Sequence, residues 1–138
     1  MFFHKDIAGT IAEADIIFVS VNTPTKKFGE GAGKAADLQY WEKTSRDILQ
    51  SSRKPEVIVV EKSTLPVRTA EAMARILESG SSSTRFSVVS NPEFLAEGTA
   101  IQDLANPDRV LIGGEKNENG HKAAKTVAEL YALSLIHI

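Results

Sequence analysis

Apolar residues in this sequence form short, nearly continuous runs that alternate with longer stretches of helical periodicity. Strands that are covered on both faces, as in a parallel sheet, consist of such apolar or β-branched runs. The four runs are IIFVSV at 16–21, VIVVE at 57–61, FSVVS at 86–90 and RVLIGG at 109–114. They predict a parallel sheet that is buried on both sides.

The stretches after the first, second and fourth runs predict amphipathic helices, because their apolar residues recur at helical spacing. Asp37 is the predicted N-cap of the first helix, and Gly80 is the predicted stop of the second. The residues predicted to share a helical face are Leu38, Trp41, Ser45, Ile48 and Leu49 in the first helix, Val67, Ala70, Ala74 and Leu77 in the second, and Val127, Leu130 and Tyr131 in the third. Alternating strands and helices predict an α/β fold with a wound parallel sheet.

Length and composition are those of one globular domain. The chain has 138 residues, of which 42% are hydrophobic and 25% are charged, and these values are ordinary for a soluble domain. A net charge of -2 and the lack of a basic stripe interleaved with aromatic residues disfavour a nucleic-acid partner. No apolar run is long enough to span a membrane and no signal peptide is recognised, so we expect a cytoplasmic protein without a membrane partner.

The chain contains no cysteine, which excludes disulfides, thiolate metal sites and a thiol nucleophile within these residues. His4, His121 and His137 are far apart in the sequence and do not suggest a metal site. We therefore expect no bound metal.

Three of the predicted strands end in small polar residues followed by a proline. The segments are NTPT at 22–25, KSTLP at 62–66 and NPE at 91–93. For any single segment, a helix cap with a first-turn proline is the better explanation. In a wound parallel sheet, however, the carboxyl ends of the strands lie along one edge, where ligands bind. Three such segments at one edge therefore favour a shared binding crevice.

Glu93 and Glu97 are four residues apart in the third of these segments. If a helix begins at Pro92, both carboxylates lie on one helical face at the crevice. A carboxyl group in that place can accept or donate a proton. Acidic residues in the first turn also complement the helix dipole, and the spacing alone does not decide between the two roles.

The segment GAGKAA at 31–36 matches the glycine spacing of a dinucleotide fingerprint, but Gly31 lies far beyond the strand end at Val21. It also fails as a P-loop, since Phe28 and Ala35 occupy positions that require Gly and Ser or Thr. We interpret this stretch as a mobile loop that leads into the helix at Asp37.

Four segments together resemble the UDP-glucose dehydrogenase family. They are VSVNTPT at 19–25, EKSTLPVRT at 61–69, SNPEFLAEGTAIQDL at 90–104 and NPDRVLIGG at 106–114. The resemblance extends from about Phe2 to Tyr131, and the last two segments are highly specific. The wider nucleotide-sugar dehydrogenases, such as the GDP-mannose enzymes, match these segments less closely. The resemblance implies a Rossmann-like NAD-binding domain.

The resemblance also implies an NAD-dependent oxidation of UDP-glucose to UDP-glucuronate in two hydride-transfer rounds, in which a cysteine holds the covalent intermediates. Glu93 matches the family's acid/base glutamate, and Thr64 matches a hydroxyl that helps to hold the catalytic water. The positions matched around NAD are Val21, Asn22, Thr23, Pro24, Thr25, Ser63, Thr64, Leu65 and Glu97, and those matched around the sugar nucleotide are Glu93, Phe94, Leu95, Ala96 and Glu97. A homo-oligomeric parent protein is implied as well.

The sequence departs from the family pattern at both ends. The glycine-rich strand, turn and helix that hold the NAD pyrophosphate are not found before the first strand, nor are the cysteine and the other catalytic residues after the last helix. We therefore assign residues 1–131 to an incomplete NAD-binding domain, without the first βαβ unit and the C-terminal domains, and residues 132–138 to an apolar tail of uncertain origin.

Two interpretations stay open. In the first, the chain is part of an active dehydrogenase and is itself inactive and marginally stable. In the second, it is a non-catalytic module that binds a nucleotide sugar or pairs with full-length subunits. We favour the first, because the missing phosphate turn and nucleophile remove strong cofactor binding and covalent catalysis.

Overall fold

The computed structural model describes residues 3–66, 68–80, 83–96 and 98–135 as helices, strands and loops around one sheet. The elements follow in the order α1 (Ile7–Glu13), β1 (Ile16–Val19), α2 (Gln39–Ser51), β2 (Glu56–Glu61), α3 (Thr69–Glu78), β3 (Arg85–Ser90), α4 (Ala100–Ala105), β4 (Gly113–Gly114) and α5 (Glu118–Leu135). The predicted α/β fold is confirmed.

The sheet has the strand order β1-β2-β3-β4. The first three strands are parallel, and their register places Glu61 between Val19 and Ser90. Their carboxyl ends therefore lie at one edge, as the sequence predicts.

The fourth strand differs from the prediction in length and direction. β4 consists of two residues and runs antiparallel to β3, with Gly113 opposite Ser90. A parallel pair requires a connection that crosses the length of the sheet, usually through a helix. The segment between β3 and β4 contains only the six-residue α4, and the chain returns to the sheet from the carboxyl edge. The sheet is therefore mixed rather than wholly parallel.

Helices cover both faces of the sheet. On one face, residues of α1, α2 and α3 pack against Val57 and Val59 of β2 in the larger core cluster. On the other face, Val127 of α5 packs against Val60 and Val89. The alternation of buried side chains along β2 thus serves two cores.

Helix α2 buries the predicted face but begins differently. Trp41, Ser45 and Ile48 are buried, as the periodicity indicates. Leu38 occupies the N-cap position, and Asp37, the predicted N-cap, accepts a hydrogen bond from the Gln39 backbone N–H at 3.1 Å.

Helix α3 buries Met73 and Leu77, and Ala70 and Ala74 pack beside them. It ends at Glu78, shortly before the predicted stop at Gly80. Val67, which was predicted for the same face, lies outside the described residues.

Helix α5 packs on the second face as predicted, with one exception. Val127 is fully buried and Tyr131 packs against the same cluster, whereas Leu130 is 40% exposed. The helix continues to Leu135, so residues 132–135, assigned above to the apolar tail, are part of α5.

The connection between β1 and α2 is a loop that folds back on itself. Thr25 forms an antiparallel bridge with Ala36, and the Lys26 N–H donates to the Ala35 carbonyl at 2.7 Å. Gly33 has a φ of +75°, which glycine adopts without the steric cost of a Cβ. The stretch is a short hairpin-like loop.

Candidate functional site

The carboxyl ends of β1 and β2 are joined by hydrogen bonds beyond the strand ladder. The Lys62 N–H donates to the Val19 carbonyl at 2.9 Å, and Ser63 Oγ donates to the Val21 carbonyl at 2.8 Å. Ser63 is buried, and its hydroxyl takes the place of water as the partner of that carbonyl. Two of the three predicted strand-end segments are therefore held side by side.

Asn91 fixes the third segment. Its N–H donates to the Glu61 carbonyl at 2.9 Å, and its Nδ2 donates to the Leu111 carbonyl at 2.8 Å. Tyr131 Oη donates to Asn91 Oδ1 at 2.6 Å. Because Asn91 is almost fully buried and bonds to three neighbouring segments, it sets the direction in which the chain proceeds to Glu93.

Glu93 lines a cleft of about 660 Å³ at this edge of the sheet. Its carboxylate lies 3.8 Å from the ammonium of Lys62, and the two side chains are 37% and 19% exposed. Across the same cleft, the Arg109 guanidinium lies 4.4 Å from the centre of the Phe94 ring in a cation–π contact. A cleft that combines two cations with carboxylates suits a polar, charged ligand.

No helix begins at Pro92. Residues 91–96 are irregular, and α4 starts only at Ala100. The predicted helical face shared by Glu93 and Glu97 is therefore wrong, and Glu97 itself lies outside the described residues.

The cause is local. Gly98 has a φ of +88°, in the left-handed region that does not continue a right-handed helix. Asp103 then organises the turn, since its Oδ2 accepts hydrogen bonds from the Ala96 N–H and from Thr99 Oγ1, both at 2.9 Å. These contacts hold the segment after Glu93 in a loop.

The other predicted site residues differ in exposure. Thr64 is exposed, and Leu65 packs partly against the larger core cluster. In the remaining positions, Asn22, Thr25, Phe94, Leu95 and Ala96 are exposed, whereas Val21, Thr23 and Pro24 are half-buried. The edge therefore presents hydroxyl and amide groups next to the cleft.

Sequence reasoning missed one polar side chain, Glu61 at the end of β2. It is 3% exposed, accepts a hydrogen bond from Trp41 Nε1 at 3.0 Å, and lies 3.1 Å from Thr69 Oγ1. Burial raises the pKa of the Glu61 carboxyl, and the two hydrogen bonds offset part of this rise. The sequence does contain an indication of this burial. Side chains two residues apart in a strand lie on the same face, so Glu61 shares a face with the buried Val57 and Val59.

The part of the chain that the structure describes holds neither a cluster of metal ligands nor a helix that could span a membrane. No group of three or more His, Asp or Glu side chains there is placed to hold a metal ion. None of the helices in these ranges is long and apolar enough to cross a bilayer.

Comparison with known proteins identifies the family. A sheet with polar carboxyl ends and covering helices is the architecture of a dinucleotide-binding domain. Residues 1–134 match the family model described as "UDP-glucose/GDP-mannose dehydrogenase family, NAD binding domain". The chain belongs to this family, which confirms the resemblance seen in the sequence and NAD as the cofactor of the domain.

Plant enzymes are among its relatives. UDP-glucose 6-dehydrogenase 1 of Glycine max and UDP-glucose 6-dehydrogenase 4 of Arabidopsis thaliana are each 59% identical to it over 132 residues. These alignments cover 96% of this chain and 27% of each relative. The chain thus spans about a quarter of the length of the curated relatives that it matches.

Solved structures share the fold. A UDP-glucose dehydrogenase from Pyrobaculum islandicum superposes with a TM-score of 0.80 at 35% identity, over 94% of this chain and 29% of that one. A GDP-mannose dehydrogenase from Pseudomonas aeruginosa gives a TM-score of 0.80 at 29% identity, over the same shares of the two chains. The Rossmann-like fold class is confirmed.

Proposed function

We propose that the chain is part of an NAD-dependent UDP-glucose dehydrogenase, here called the parent dehydrogenase, which oxidises UDP-glucose to UDP-glucuronate in two hydride transfers. Family membership and the similarity to the plant enzymes support this function. The observation that carries it is the position of Glu93, which lines the cleft at the carboxyl edge with a cation 3.8 Å away.

Glu93 is the proposed acid and base. Oxidation of a primary alcohol requires that the hydroxyl lose its proton as the hydride leaves the carbon. A half-exposed carboxylate that lines the cleft is suited to accept that proton and to return it later. The ammonium of Lys62 balances the charge of the carboxylate in a partly desolvated place.

The residues at the ends of β1 and β2 are the proposed NAD contacts. NAD, when bound, accepts the hydride. Segment 21–25 and residues Ser63, Thr64 and Leu65 offer hydroxyl, amide and backbone groups at the edge where wound sheets hold nucleotides, and Glu97 belongs to the same proposed set. The hydroxyl of Thr64 also helps to hold the water that is consumed in the second round.

Segment 93–97 is the proposed wall of the sugar-nucleotide site. Phe94, Leu95 and Ala96 are exposed beside the cleft, and Arg109 stacks on Phe94. In this arrangement the backbone of the segment contacts the sugar, and Glu93 faces the group to be oxidised.

The covalent stage needs a thiol that these residues do not contain, since the sequence has no cysteine. We therefore assign the thiol to another part of the parent dehydrogenase, which we expect to be a homo-oligomer. The isolated chain is expected to form no NADH from UDP-glucose.

A Glu93→Gln substitution in the parent dehydrogenase tests the acid/base assignment. Gln preserves the shape but cannot take up a proton at neutral pH, so we expect turnover to fall by about 100-fold or more while the circular dichroism spectrum is unchanged. Glu78→Gln, at the exposed end of α3, is the matched control and should retain full turnover. Near-normal activity of Glu93→Gln would remove Glu93 from this role.

A second candidate is a non-catalytic module that binds a nucleotide sugar or pairs with full-length subunits. Isothermal titration of the chain with UDP-glucose, and co-purification with a full-length dehydrogenase, separate the two functions. Binding or pairing by a chain that exists in the cell at this length would favour the module.

A further inference from the structure

The Glu61 carboxyl group lies in the apolar core directly beneath the loop that carries Ser63 and Thr64. It is shielded from water by α2 and α3, which contribute Trp41 and Thr69 to its surroundings. A charge in this place would be costly unless it were paired. Within the described part of the chain, no cationic side chain forms an ion pair with Glu61.

The two cationic residues that follow Glu61 before α3 are engaged elsewhere. Lys62 pairs with Glu93 in the cleft, and Arg68 pairs with Glu71 on the exposed side of α3. The neighbours of Glu61 in the sheet are Val19 and Ser90, which carry no charge. The only groups that bond to the carboxyl oxygens among the described residues are thus the neutral indole of Trp41 and the neutral hydroxyl of Thr69.

The hydroxyl of Thr69 has one proton and two acceptors within reach. Its Oγ1 lies 3.1 Å from Glu61 Oε2 and 3.0 Å from the Pro66 carbonyl oxygen. If Glu61 is ionised, both acceptors compete for that proton, and the Thr69 backbone N–H, 3.3 Å from the Pro66 carbonyl oxygen, is the other donor to Pro66. If Glu61 is protonated, its own O–H donates to Thr69 Oγ1, and Thr69 donates to Pro66, so that every polar group is paired.

We infer that Glu61, in its protonated form, acts as a positioning residue that holds the 62–66 loop through a relay from Glu61 to Thr69 to the Pro66 carbonyl. The relay links the two ends of the 62–66 segment, because Glu61 is the last residue of β2 and Pro66 ends this segment of the connection to α3. The relay itself does not depend on the proposed function. The roles of this loop in contacting NAD and in holding the water do rest on it.

Two further contacts make the relay consequential for the site. The Glu61 carbonyl accepts from the Asn91 N–H at 2.9 Å, so the same residue also fixes the segment that leads to Glu93. Arg68, adjacent to Thr69, has a φ of +74°, a conformation that a non-glycine residue keeps only when its surroundings hold it. Its neighbour Thr69 is bonded to Glu61 and Pro66, and Arg68 itself pairs with Glu71.

The relay predicts its own pH dependence. Burial raises the pKa of the Glu61 carboxyl, partly offset by the hydrogen bonds from Trp41 and Thr69. When the pH rises through the raised value, Glu61 loses its proton and draws the Thr69 hydroxyl toward itself. The Pro66 carbonyl then keeps only the longer bond from the Thr69 backbone N–H, at 3.3 Å. Glu61→Gln keeps an acceptor for Trp41 and a donor for Thr69 without an ionisable group, and so imitates the protonated state.

Fluorescence offers a direct test, because Trp41 is the only tryptophan in the sequence and contacts Glu61. We expect the emission of the 138-residue chain to change with a midpoint above the ordinary glutamate value of about 4.3. The Glu61→Gln chain should have the same circular dichroism spectrum and no emission change in that interval. A wild-type midpoint at or below the ordinary value, an equal transition in Glu61→Gln, or an unfolded Glu61→Gln chain would each overturn the inference.

Turnover of the parent dehydrogenase supplies a second readout that does not require the chain to fold alone. The kcat/KM of the wild type should decline at high pH, whereas Glu61→Gln should keep its value there. Thr69→Ser, which retains the hydroxyl, should behave as wild type, and Thr69→Val should lose at least half of kcat/KM at neutral pH. An equal decline of kcat/KM with pH in the wild type and in Glu61→Gln would contradict the relay. Absence of all turnover in the wild type would instead contradict the proposed function, and the fluorescence test would then decide on the relay.

Discussion

The ammonium group of Lys62 lies 3.8 Å from the carboxylate of Glu93, although the two residues follow different strands. Lys62 comes directly after β2, and Glu93 comes shortly after β3. The pair forms because these strands are parallel neighbours whose carboxyl ends coincide. Partly exposed ion pairs contribute about 0.2–1 kcal/mol to folding, so its main effect is expected in the site.

Replacement of Lys62 by Met should reduce kcat/KM of the parent dehydrogenase about tenfold, equivalent to about 1.4 kcal/mol of transition-state stabilisation. The reason is that the Glu93 carboxylate loses its neighbouring cation. Lys125→Met is the matched control, since Lys125 lies 3.8 Å from Glu129 on the exposed side of α5. Equal activity of the two variants, measured as NADH formation, would show that Lys62 has no part in the reaction.

Replacement of Ser63 by Ala should lower the free energy of unfolding by about 1–3 kcal/mol, because the part-buried Val21 carbonyl would lose its partner. Ser79→Ala removes an exposed hydroxyl that donates to Ile76 and should cost less than about 0.5 kcal/mol. Urea denaturation of both variants gives the comparison. Equal losses would mean that the Ser63 bond does not tie β1 to β2.

Replacement of Ile48 by Ala should cost about 2–5 kcal/mol, since Ile48 is fully buried between α2 and the sheet. A loss of this size is comparable to the total stability of a small domain. Ile101→Ala, at a position 86% exposed on α4, should leave the thermal midpoint within a few degrees. A similar midpoint for the two variants would place Ile48 outside the core.

The stability of the chain should fall as the pH rises above the ordinary glutamate range. Burial raises the folded-state pKa of Glu61 above its unfolded value, so between the two values the folded state binds more protons. The free energy of unfolding therefore decreases with pH across that interval and levels off above the raised pKa. Urea denaturation at several pH values should show this slope in wild type and its loss in Glu61→Gln; a slope of opposite sign would contradict a buried, protonated Glu61.

The sequence predicts the central strands of the sheet better than the irregular segments that connect them. The apolar runs around Val59 and Val88 form β2 and β3, with ends within one residue of those predicted. The reason is that a strand buried on both faces is nearly continuous in apolar and β-branched residues. The RVLIGG run has the same composition, but its direction depends on how the preceding connection crosses the sheet, which local composition does not encode.

The sequence predicts the strand ends of the site but not the loop after Glu93. The meeting of three strand ends follows from parallel topology, and the bond between Ser63 and Val21 is consistent with it. The helix considered from Pro92 does not form, because Gly98 and the hydrogen bond from the Ala96 N–H to Asp103 act against the local pattern. Such contacts depend on tertiary geometry.

The stoichiometry of NADH formation by the parent dehydrogenase tests the central claim most directly. UDP-glucose is supplied in limiting amount with excess NAD, and NADH is measured by absorbance when the reaction is complete. Oxidation of an alcohol to a carboxylate predicts about two NADH per UDP-glucose, with UDP-glucuronate as the product, in keeping with the two hydride transfers. One NADH per UDP-glucose, or none, would contradict a UDP-glucose dehydrogenase that oxidises the alcohol to the carboxylate in two hydride transfers.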